Sequence, residues 1–127
     1  MERVIKNVDN IVEISIKNPG IYSMGNASGT GKTYLKQILS YEDDICALTY
    51  DSKNVIMTKL REFRGSTKSI LYIDRFDTIV DAEICELLDS LKNRYVILDF
   101  KNNNHSDLLH AKHIILKWTK GKFMLYA

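Results

Sequence analysis

A chain of 127 residues is the size of one domain, and it can bury roughly two-thirds of the surface that its unfolded form exposes. Hydrophobic residues make up 45% of it and charged residues 27%, which excludes a disordered tail, a collagen-like repeat and a disulfide scaffold. The net charge of +2 is too small for a protein that lives on nucleic acid, so we do not expect a nucleic-acid partner.

The sequence also predicts a compartment. No apolar run approaches the roughly 20 residues of a membrane helix, and the N-terminus carries no apolar stretch typical of a secretory signal. Cys46 and Cys85 are 39 residues apart in the sequence and lack Cys-x-x-Cys spacing. We therefore expect a cytoplasmic protein with two reduced thiols and no membrane contact.

The first elements in chain order are strands. Apolar and polar residues alternate over Asn10–Lys17, which predicts a strand, and Asn18-Pro19-Gly20 is a turn signal. The short apolar run Ile21–Met24 is expected to be the paired strand of a hairpin. A glycine-rich segment follows this run, and apolar residues at helical spacing come after it.

Strands and helices then alternate to the end of the chain. The pattern predicts strands at Ile45–Tyr50, Ile70–Asp74 and Tyr95–Phe100, helices at Val55–Phe63 and Ile84–Leu91, a helical turn near Ser106–His110, and a closing hairpin of Ile114–Trp118 and Phe123–Tyr126. This alternation predicts a single α/β domain over residues 1–127. We expect a three-layer sandwich whose mostly parallel sheet has antiparallel edge hairpins.

The glycine-rich segment has the spacing of a phosphate-binding loop. The pattern G-x-x-x-x-G-K-[ST] between a strand and a helix cradles phosphates with backbone N–H groups, and this chain has Asn26 in place of the first glycine. Asparagine tolerates the left-handed backbone better than other non-glycine residues, so the match survives. The predicted nucleotide-binding residues are Asn26, Ala27, Ser28, Gly29, Thr30, Gly31, Lys32, Thr33 and Tyr34.

A partner carboxylate is expected for the metal ion. Lys32 would reach the β and γ phosphates, and Thr33 would place its hydroxyl on Mg²⁺. Asp74 ends the apolar run Ile70–Ile73, and an adjacent parallel strand would end beside the loop at the same edge of the sheet. The predicted metal ligands are therefore Thr33 and Asp74, with ATP and Mg²⁺ as cofactors.

Together these two motifs resemble the nucleotide-binding core of the AAA+ P-loop ATPases, over roughly Ile21 to Asn104. The resemblance implies that Asp74 is the metal acid, and that Arg75 occupies the place of the glutamate that activates water. It also implies that Asn102 is the sensor asparagine, with Asn103 and Asn104 as register alternatives. The predicted catalytic residues are Lys32, Asp74, Arg75 and Asn102.

The chain departs from that family in several ways. It lacks the length for a helical lid, and no arginine follows Arg94. The Asn10–Met24 hairpin and the closing hairpin look more like ABC ATPases, yet the ABC signature is absent. The prediction is therefore a minimal P-loop NTPase domain, with the choice between an AAA+ and an ABC-like subfamily left open.

Three functions fit these motifs. Because Arg75 stands in the glutamate position, the expected general base is missing unless Asp77, Glu83 or Glu86 replaces it, and we expect weak or no hydrolysis. The first function is an ATP-binding protein with weak ATPase activity. The second is a nucleotide-dependent interaction module that associates with an unidentified protein or with itself. The third, a small-molecule or nucleotide kinase, is less favoured because the late chain offers no lid arginine.

Other residues fit ordinary structural roles better than functional ones. His105, His110 and His113 have no cysteine nearby, so surface imidazoles are favoured over a zinc site. Trp118 is favoured as a packing residue over a base-stacking platform. The lysines near it are favoured as protection of an edge strand over a nucleic-acid contact: Lys117, Lys120 and Lys122.

Overall fold

The computed structural model of the chain describes residues 1–24, 32–76, 81–100 and 110–127. The elements in chain order are β1 (Glu2–Lys6), β2 (Ile11–Ser15), β3 (Gly20–Met24), α1 (Lys32–Leu39), β4 (Ile45–Thr49), α2 (Lys53–Arg64), β5 (Ile70–Phe76), α3 (Ala82–Asp89), β6 (Tyr95–Phe100), β7 (Lys112–Thr119) and β8 (Lys122–Tyr126). All the strands belong to one eight-stranded sheet in the order β1-β2-β8-β7-β3-β6-β5-β4.

The predicted strands and helices are confirmed within the described residues, with ends that differ by a few positions. Side chains that cap helix N-termini set two of these boundaries. The hydroxyl of Ser52 accepts a hydrogen bond from the backbone of Val55 at the start of α2. The carboxylate of Asp81 accepts from the backbone of Glu83 at 2.8 Å at the start of α3. The helical turn predicted near Ser106–His110 lies almost wholly outside the described residues.

The predicted hairpin between the second and third strands is wrong. Strand β2 pairs antiparallel with β1, which the sequence analysis missed, and parallel with β8. Strand β3 instead lies between β6 and β7 and runs parallel to both. The Pro19–Gly20 link therefore crosses between two parts of the sheet, and Gly20 donates its backbone N–H to Arg94 just before β6.

The predicted three-layer sandwich with a mostly parallel sheet is also wrong. Strands account for 44% of the structure and helices for 25%, and the eight strands form a mixed sheet that curls into a half-barrel. The physical reason is that one face is covered largely by the sheet itself. Side chains of β1, β2 and β8 join α1 in one hydrophobic cluster: Ile5, Val12, Ile14, Leu35, Ile38, Leu39, Phe123 and Leu125.

The opposite face of the sheet has a helical cover. Helices α2 and α3 pack their apolar side chains on strands β3, β5 and β6 in a second cluster that includes Leu60, Phe63, Leu71, Ile73, Leu88, Val96 and Leu98. We call β3, β4, β5 and β6 the parallel region, and β1, β2, β7 and β8 the curled region. The neighbouring strands within the parallel region all run parallel.

Ion pairs join the two edges of the curled sheet. Arg3 of edge strand β1 forms a two-nitrogen contact with the carboxylate of Asp44, which immediately precedes edge strand β4. The same guanidinium also contacts Glu42 at 3.1 Å. Since β1 and β4 are at opposite ends of the strand order, these contacts show how far the sheet curls around α1.

Two findings bear on the expected compartment. None of the helices in the described ranges is long and apolar enough to cross a membrane. Cys46 and Cys85 are both free and partly buried.

Candidate functional site

Two aspartates lie at the carboxyl ends of neighbouring parallel strands. Asp99 in β6 pairs in register with Met24, the last residue of β3, and Asp74 lies near the end of β5. The carboxyl ends of parallel strands lie at the same edge of the sheet. Both carboxylates are therefore at the edge where β3 leads into the glycine-rich segment. Strand β6 separates β5 from β3, so the predicted adjacency of the Asp74 strand to β3 is wrong. Asp99 is one strand spacing from β3, about 4.8 Å, and Asp74 is two.

Asp74 and Asp99 form an acid pair. Both residues are buried, with exposed fractions of 5% and 7%, and their side chains are hydrogen-bonded to each other. Burial raises the pKa of the Asp74 carboxyl above its usual range, and the hydrogen bond and negative charge of Asp99 raise it further. The raised pKa means that a bound cation or a proton would relieve the repulsion between the two carboxylates.

The acid pair faces helix α1. Side chains alternate along a strand, so Asp74 lies on the same face as Tyr72, and Asp99 on the same face as Ile97. Both of those neighbours belong to the cluster that encloses α1. The positive charge of Lys36 on α1 lowers the pKa of Asp74, which places that helix within electrostatic reach of the pair.

A tyrosine hydroxyl is buried beneath the acid pair. Tyr72 is fully buried, and its hydroxyl has no hydrogen-bond partner among the described residues. Burial and the charges of Asp99 and Asp74 raise the pKa of Tyr72, so the group remains a neutral O–H donor. A buried donor without a partner costs about 1–3 kcal/mol, which makes this hydroxyl an available donor on the site's inner side.

Arg75 lies in a backbone irregularity. The register of β5 against β6 shifts between Ile73 and Phe76, and Arg75 has a φ of 54°, in the left-handed region that long side chains avoid. Phe76 anchors the irregularity, with its ring 5.7 Å from the Tyr50 ring and 5.3 Å from the Phe100 ring. Bulges and strained backbone occur often beside active sites. The guanidinium is exposed, and its charge lowers the pKa of Asp74.

The rest of the predicted binding segment is described only in part. Asn26, Ala27, Ser28, Gly29, Thr30, Gly31 and Asn102 lie outside the described residues, as do Asn103 and Asn104. Lys32 and Thr33 are described only as the first residues of α1. Tyr34 in that same turn has a half-exposed ring, whose centroid is 6.5 Å from that of Phe123.

The alternative general bases are not brought to the acid pair. Glu83 and Glu86 are on α3, which packs on the opposite face of the sheet, and Glu83 contacts Lys53 at 3.2 Å. Asp77 lies outside the described residues. Asp99, in contrast, was missed, although the apolar run Val96–Leu98 that it follows is the same signal that identified Asp74.

The structure describes two of the three histidines considered for a metal site, His110 and His113. His110 precedes β7 and His113 lies within it, so they do not share a helix face, and His105 is outside the described residues. A search of the described residues finds no group of three or more histidine, cysteine, aspartate or glutamate side chains that could hold a metal ion. The acid pair therefore offers two carboxylates rather than a complete set of protein ligands.

Comparison of the chain with protein-family models, curated proteins and solved structures finds no match.

Proposed function

We propose that this chain binds a nucleoside triphosphate, ATP in the first instance, together with Mg²⁺, and hydrolyses it slowly or not at all. The observation that carries the proposal is the acid pair of Asp99 and Asp74, which lie one and two strands, respectively, from the end of β3. That strand leads directly into the segment Gly25–Thr33, whose sequence has the spacing of a phosphate-binding loop. The sequence motif and the acid pair support the same proposal, since β3 ends at the edge of the sheet where the pair lies.

The phosphate contacts are assigned from the sequence. Gly29 and Gly31 leave room for backbone N–H groups to approach a phosphate, and Lys32 adds a positive charge. Helix α1 begins at Lys32, and the N-terminus of a helix favours the binding of anions. These residues follow β3 directly in the sequence, and β3 is the neighbour of the strand that carries Asp99.

The acid pair is a suitable donor set for Mg²⁺. This ion prefers oxygen ligands, and proteins usually hold it with one or two carboxylates while phosphates and water complete its coordination. Asp74 and Asp99 would supply the carboxylates, and the sequence assigns Thr33 as a further oxygen ligand. The ion, when bound, offsets the negative charge of the phosphates. The hydroxyl of Tyr72 is buried near the pair but donates to neither carboxylate.

Slow hydrolysis follows from the chemistry at position 75. A guanidinium does not accept a proton at ordinary pH, so Arg75 cannot activate water as a carboxylate would. The glutamates of α3 lie across the sheet. The acid pair does supply carboxylates at this edge of the sheet, but metal coordination would occupy them.

A nucleotide-dependent interaction module is the second candidate, and the outer edge of the curled region favours it. Strand β1 is at the end of the sheet, where its outer backbone groups have no partner strand in the strand order. Val4 and Val8 beside that edge are 56% and 94% exposed. An exposed strand edge with apolar side chains can pair with another chain.

The free thiols Cys46 and Cys85 support the proposed cytoplasmic location.

The test is a calorimetric titration of the protein with ATP, with and without Mg²⁺. Lys32→Ala should weaken ATP binding about tenfold or more, because a charge-assisted contact is worth roughly 1.5–3 kcal/mol. Lys92→Ala is the matched control. Its exposed side chain lies beside Asp89, at the amino ends of the parallel strands and therefore away from the acid pair. Equal affinities of wild type and Lys32→Ala would contradict the proposal.

The same titration separates the metal from the phosphates. Asp74→Asn should lose most of the Mg²⁺-dependent gain in affinity, while metal-free binding stays equal or improves slightly because a negative charge near phosphate is gone. Phosphate release from the same samples should be slower than about 1 s⁻¹, the lower end of typical enzyme turnover. A faster rate would contradict the assignment of a slow or inactive ATPase.

A further inference from the structure

Three aromatic rings form a cluster beside the first turn of α1. The Phe123 ring is buried, and the rings of Tyr34 and Trp118 lie against it at centroid distances of 6.5 and 6.0 Å. Tyr34 and Trp118 remain 47% and 50% exposed. Large aromatic side chains that serve only the core are normally more buried than this. In this aromatic cluster of Tyr34, Trp118 and Phe123, the two half-exposed rings therefore pack against the buried Phe123 ring.

The aromatic cluster extends past the same edge that carries the acid pair. Strand β7 pairs with β3 as far as Ile114, which is opposite Met24, and then continues to Thr119. Trp118 is thus four residues beyond the end of β3, about 13 Å at the usual rise of a strand. It is paired with Phe123 of β8, so their side chains share the face on which α1 lies.

The aromatic cluster and the acid pair lie on opposite sides of β3, the strand that leads into the predicted phosphate-binding loop. In the strand order, β7 neighbours β3 on one side, while β6 and β5 follow on the other. The span from β5 to β7 is three strand spacings, about 14 Å. A nucleoside triphosphate carries its base at the end opposite its γ phosphate. A nucleotide whose outer phosphates and metal lie at the acid pair would therefore direct its base toward β7.

We infer that Tyr34 and Trp118 bind the base of the nucleotide by stacking. The inference rests on the proposed function and adds to it the site that holds the base. Every nucleobase has a flat π face, and stacking on an aromatic side chain is tolerant of base identity. The aromatic cluster would therefore add affinity for nucleotides over other polyphosphates and discriminate weakly among bases. Because the buried Phe123 ring already positions both exposed rings, little ordering is needed on binding.

A cavity that Tyr34 also lines is the competing location for the base, which the experiment must distinguish. A cavity of about 260 Å³ is lined by Asn7, Tyr34, Gln37, Ile38 and Tyr41. Tyr41 is one of its walls and is 74% exposed, two helical turns from Tyr34 along the chain. It does not belong to the aromatic cluster, so Tyr41 provides a matched aromatic control for the test.

Trp118 is the sole tryptophan of the chain, so its fluorescence reports directly on this location. The experiment compares ATP with inorganic tripolyphosphate, both with Mg²⁺, by calorimetry and by tryptophan fluorescence. ATP should quench Trp118 and bind about tenfold more tightly than tripolyphosphate, since stacking on one aromatic ring is worth roughly five- to 150-fold in affinity. Tripolyphosphate should bind without quenching.

Variants locate the effect. Trp118→Leu should reduce the affinity for ATP toward that for tripolyphosphate and leave tripolyphosphate binding unchanged, whereas Trp118→Phe should keep much of the ATP affinity. Tyr34→Leu should act as Trp118→Leu does, and Tyr41→Leu should change neither ligand. Far-ultraviolet circular dichroism of each variant verifies that the fold is retained.

The outcomes separate this inference from the proposed function. If ATP and tripolyphosphate bind equally well and Trp118 fluorescence stays constant, the base-binding inference is wrong while the phosphate site stands. If Tyr41→Leu weakens ATP and Trp118→Leu does not, the base lies in the cavity and the inference is again wrong. If neither ligand binds, the proposed function and the inference are both overturned.

Discussion

The parallel and curled regions bury their strands in different ways. In β5 the consecutive residues from Ile70 to Asp74 are all buried, because helices α2 and α3 cover one face and the cluster around α1 covers the other. In β2 burial alternates, and only Val12 and Ile14 are fully inside. A polar residue is ordinary in the second pattern, since every other position faces outward, and exceptional in the first.

This difference isolates the candidate site. The buried polar residues among the described ones are Ser23, Asp74 and Asp99, and they belong to the three neighbouring strands β3, β5 and β6. Burying a polar group is unfavourable unless it finds partners. Asp74 and Asp99 share the face that α1 covers, whereas Ser23 lies on the opposite face with Ile21 and Leu98. The two aspartates are therefore the pair of buried carboxyl groups that this pattern of burial singles out.

The largest expected effects test whether β5 is buried on both faces and β2 on only one. In β5, Ile70→Ala and Leu71→Ala should each destabilise the fold by about 3 kcal/mol, although they are neighbours with opposite orientations. In β2, Ile14→Ala should cost a similar amount, while Ser15→Ala should change the free energy of unfolding by less than about 0.5 kcal/mol. Urea denaturation measures all four. A small effect of either β5 substitution would show that one face of that strand is not covered.

A smaller effect tests the acid pair in the absence of ligand. The pKa of Asp74 in the folded state lies above the ordinary value of 3.8, so the folded protein binds the proton more tightly than the unfolded chain. The stability of the wild type should therefore fall as the pH rises from about 4 through the folded-state pKa of this group. Asp74→Asn lacks the buried charge and should be more stable at pH 7, by on the order of 1 kcal/mol.

The pH dependence of stability separates the effect of removing the charge of Asp74 from the effect of changing the shape of its side chain. The advantage of Asp74→Asn should disappear below about pH 3, where the wild-type carboxyl is protonated in both states. Asp89→Asn is the control, because that carboxylate is exposed on α3 and should show no such gain. Urea midpoints measured from about pH 2.5 to pH 8 would refute the interpretation if both variants behaved alike.

The smallest effect concerns the ion pairs that join the edges of the curled sheet. The hydrogen bond from Arg3 holds the pKa of Asp44 below its usual range, so this carboxylate contributes stability above about pH 4 and loses it as the pH falls through its folded-state value. Asp44 is partly exposed, so solvent weakens the interaction. Arg3→Ala should destabilise the fold by roughly 0.5–1 kcal/mol at pH 7.

The difference between wild type and Arg3→Ala should shrink as the pH falls below 3, because the carboxylate is then neutral. Lys59→Ala is the matched control, since its 3.9 Å contact with Glu62 is exposed on helix α2. Thermal unfolding across this pH range measures both. An effect of Arg3→Ala no larger than that of Lys59→Ala would show that the sheet edges do not need these ion pairs.

The sequence predicted local structure and one half of the acid pair. The apolar run before Asp74 predicted a buried strand that ends in a carboxylate, and the structure confirms that strand. The same signal precedes Asp99, but the asparagines that follow it match the sensor position of the resemblance and carried that prediction instead. Strand β1 was missed as well, because Glu2–Lys6 is short and half polar.

Pairing could not be predicted from local pattern. Asn18-Pro19-Gly20 resembles a hairpin turn, yet β2 and β3 are separated in the sheet by β8 and β7. A turn signal constrains a few dihedral angles, whereas the choice of partner strand depends on contacts distant in sequence. The same limit led to the wrong three-layer architecture, since the curl that brings Arg3 to Asp44 is a property of the whole sheet.

The sequence by itself determined where strands and helices form, because hydrophobic periodicity is local, and it determined the spacing Gly25–Thr33 with its lysine. Only the tertiary structure decided that β6 lies between β3 and β5, which makes Asp99 the partner of Asp74. It alone brought Trp118 and Tyr34, 84 residues apart in the sequence, onto one buried ring. The physical reason is that strand order and curl follow from burying apolar faces of distant segments together, which no local stretch of sequence encodes.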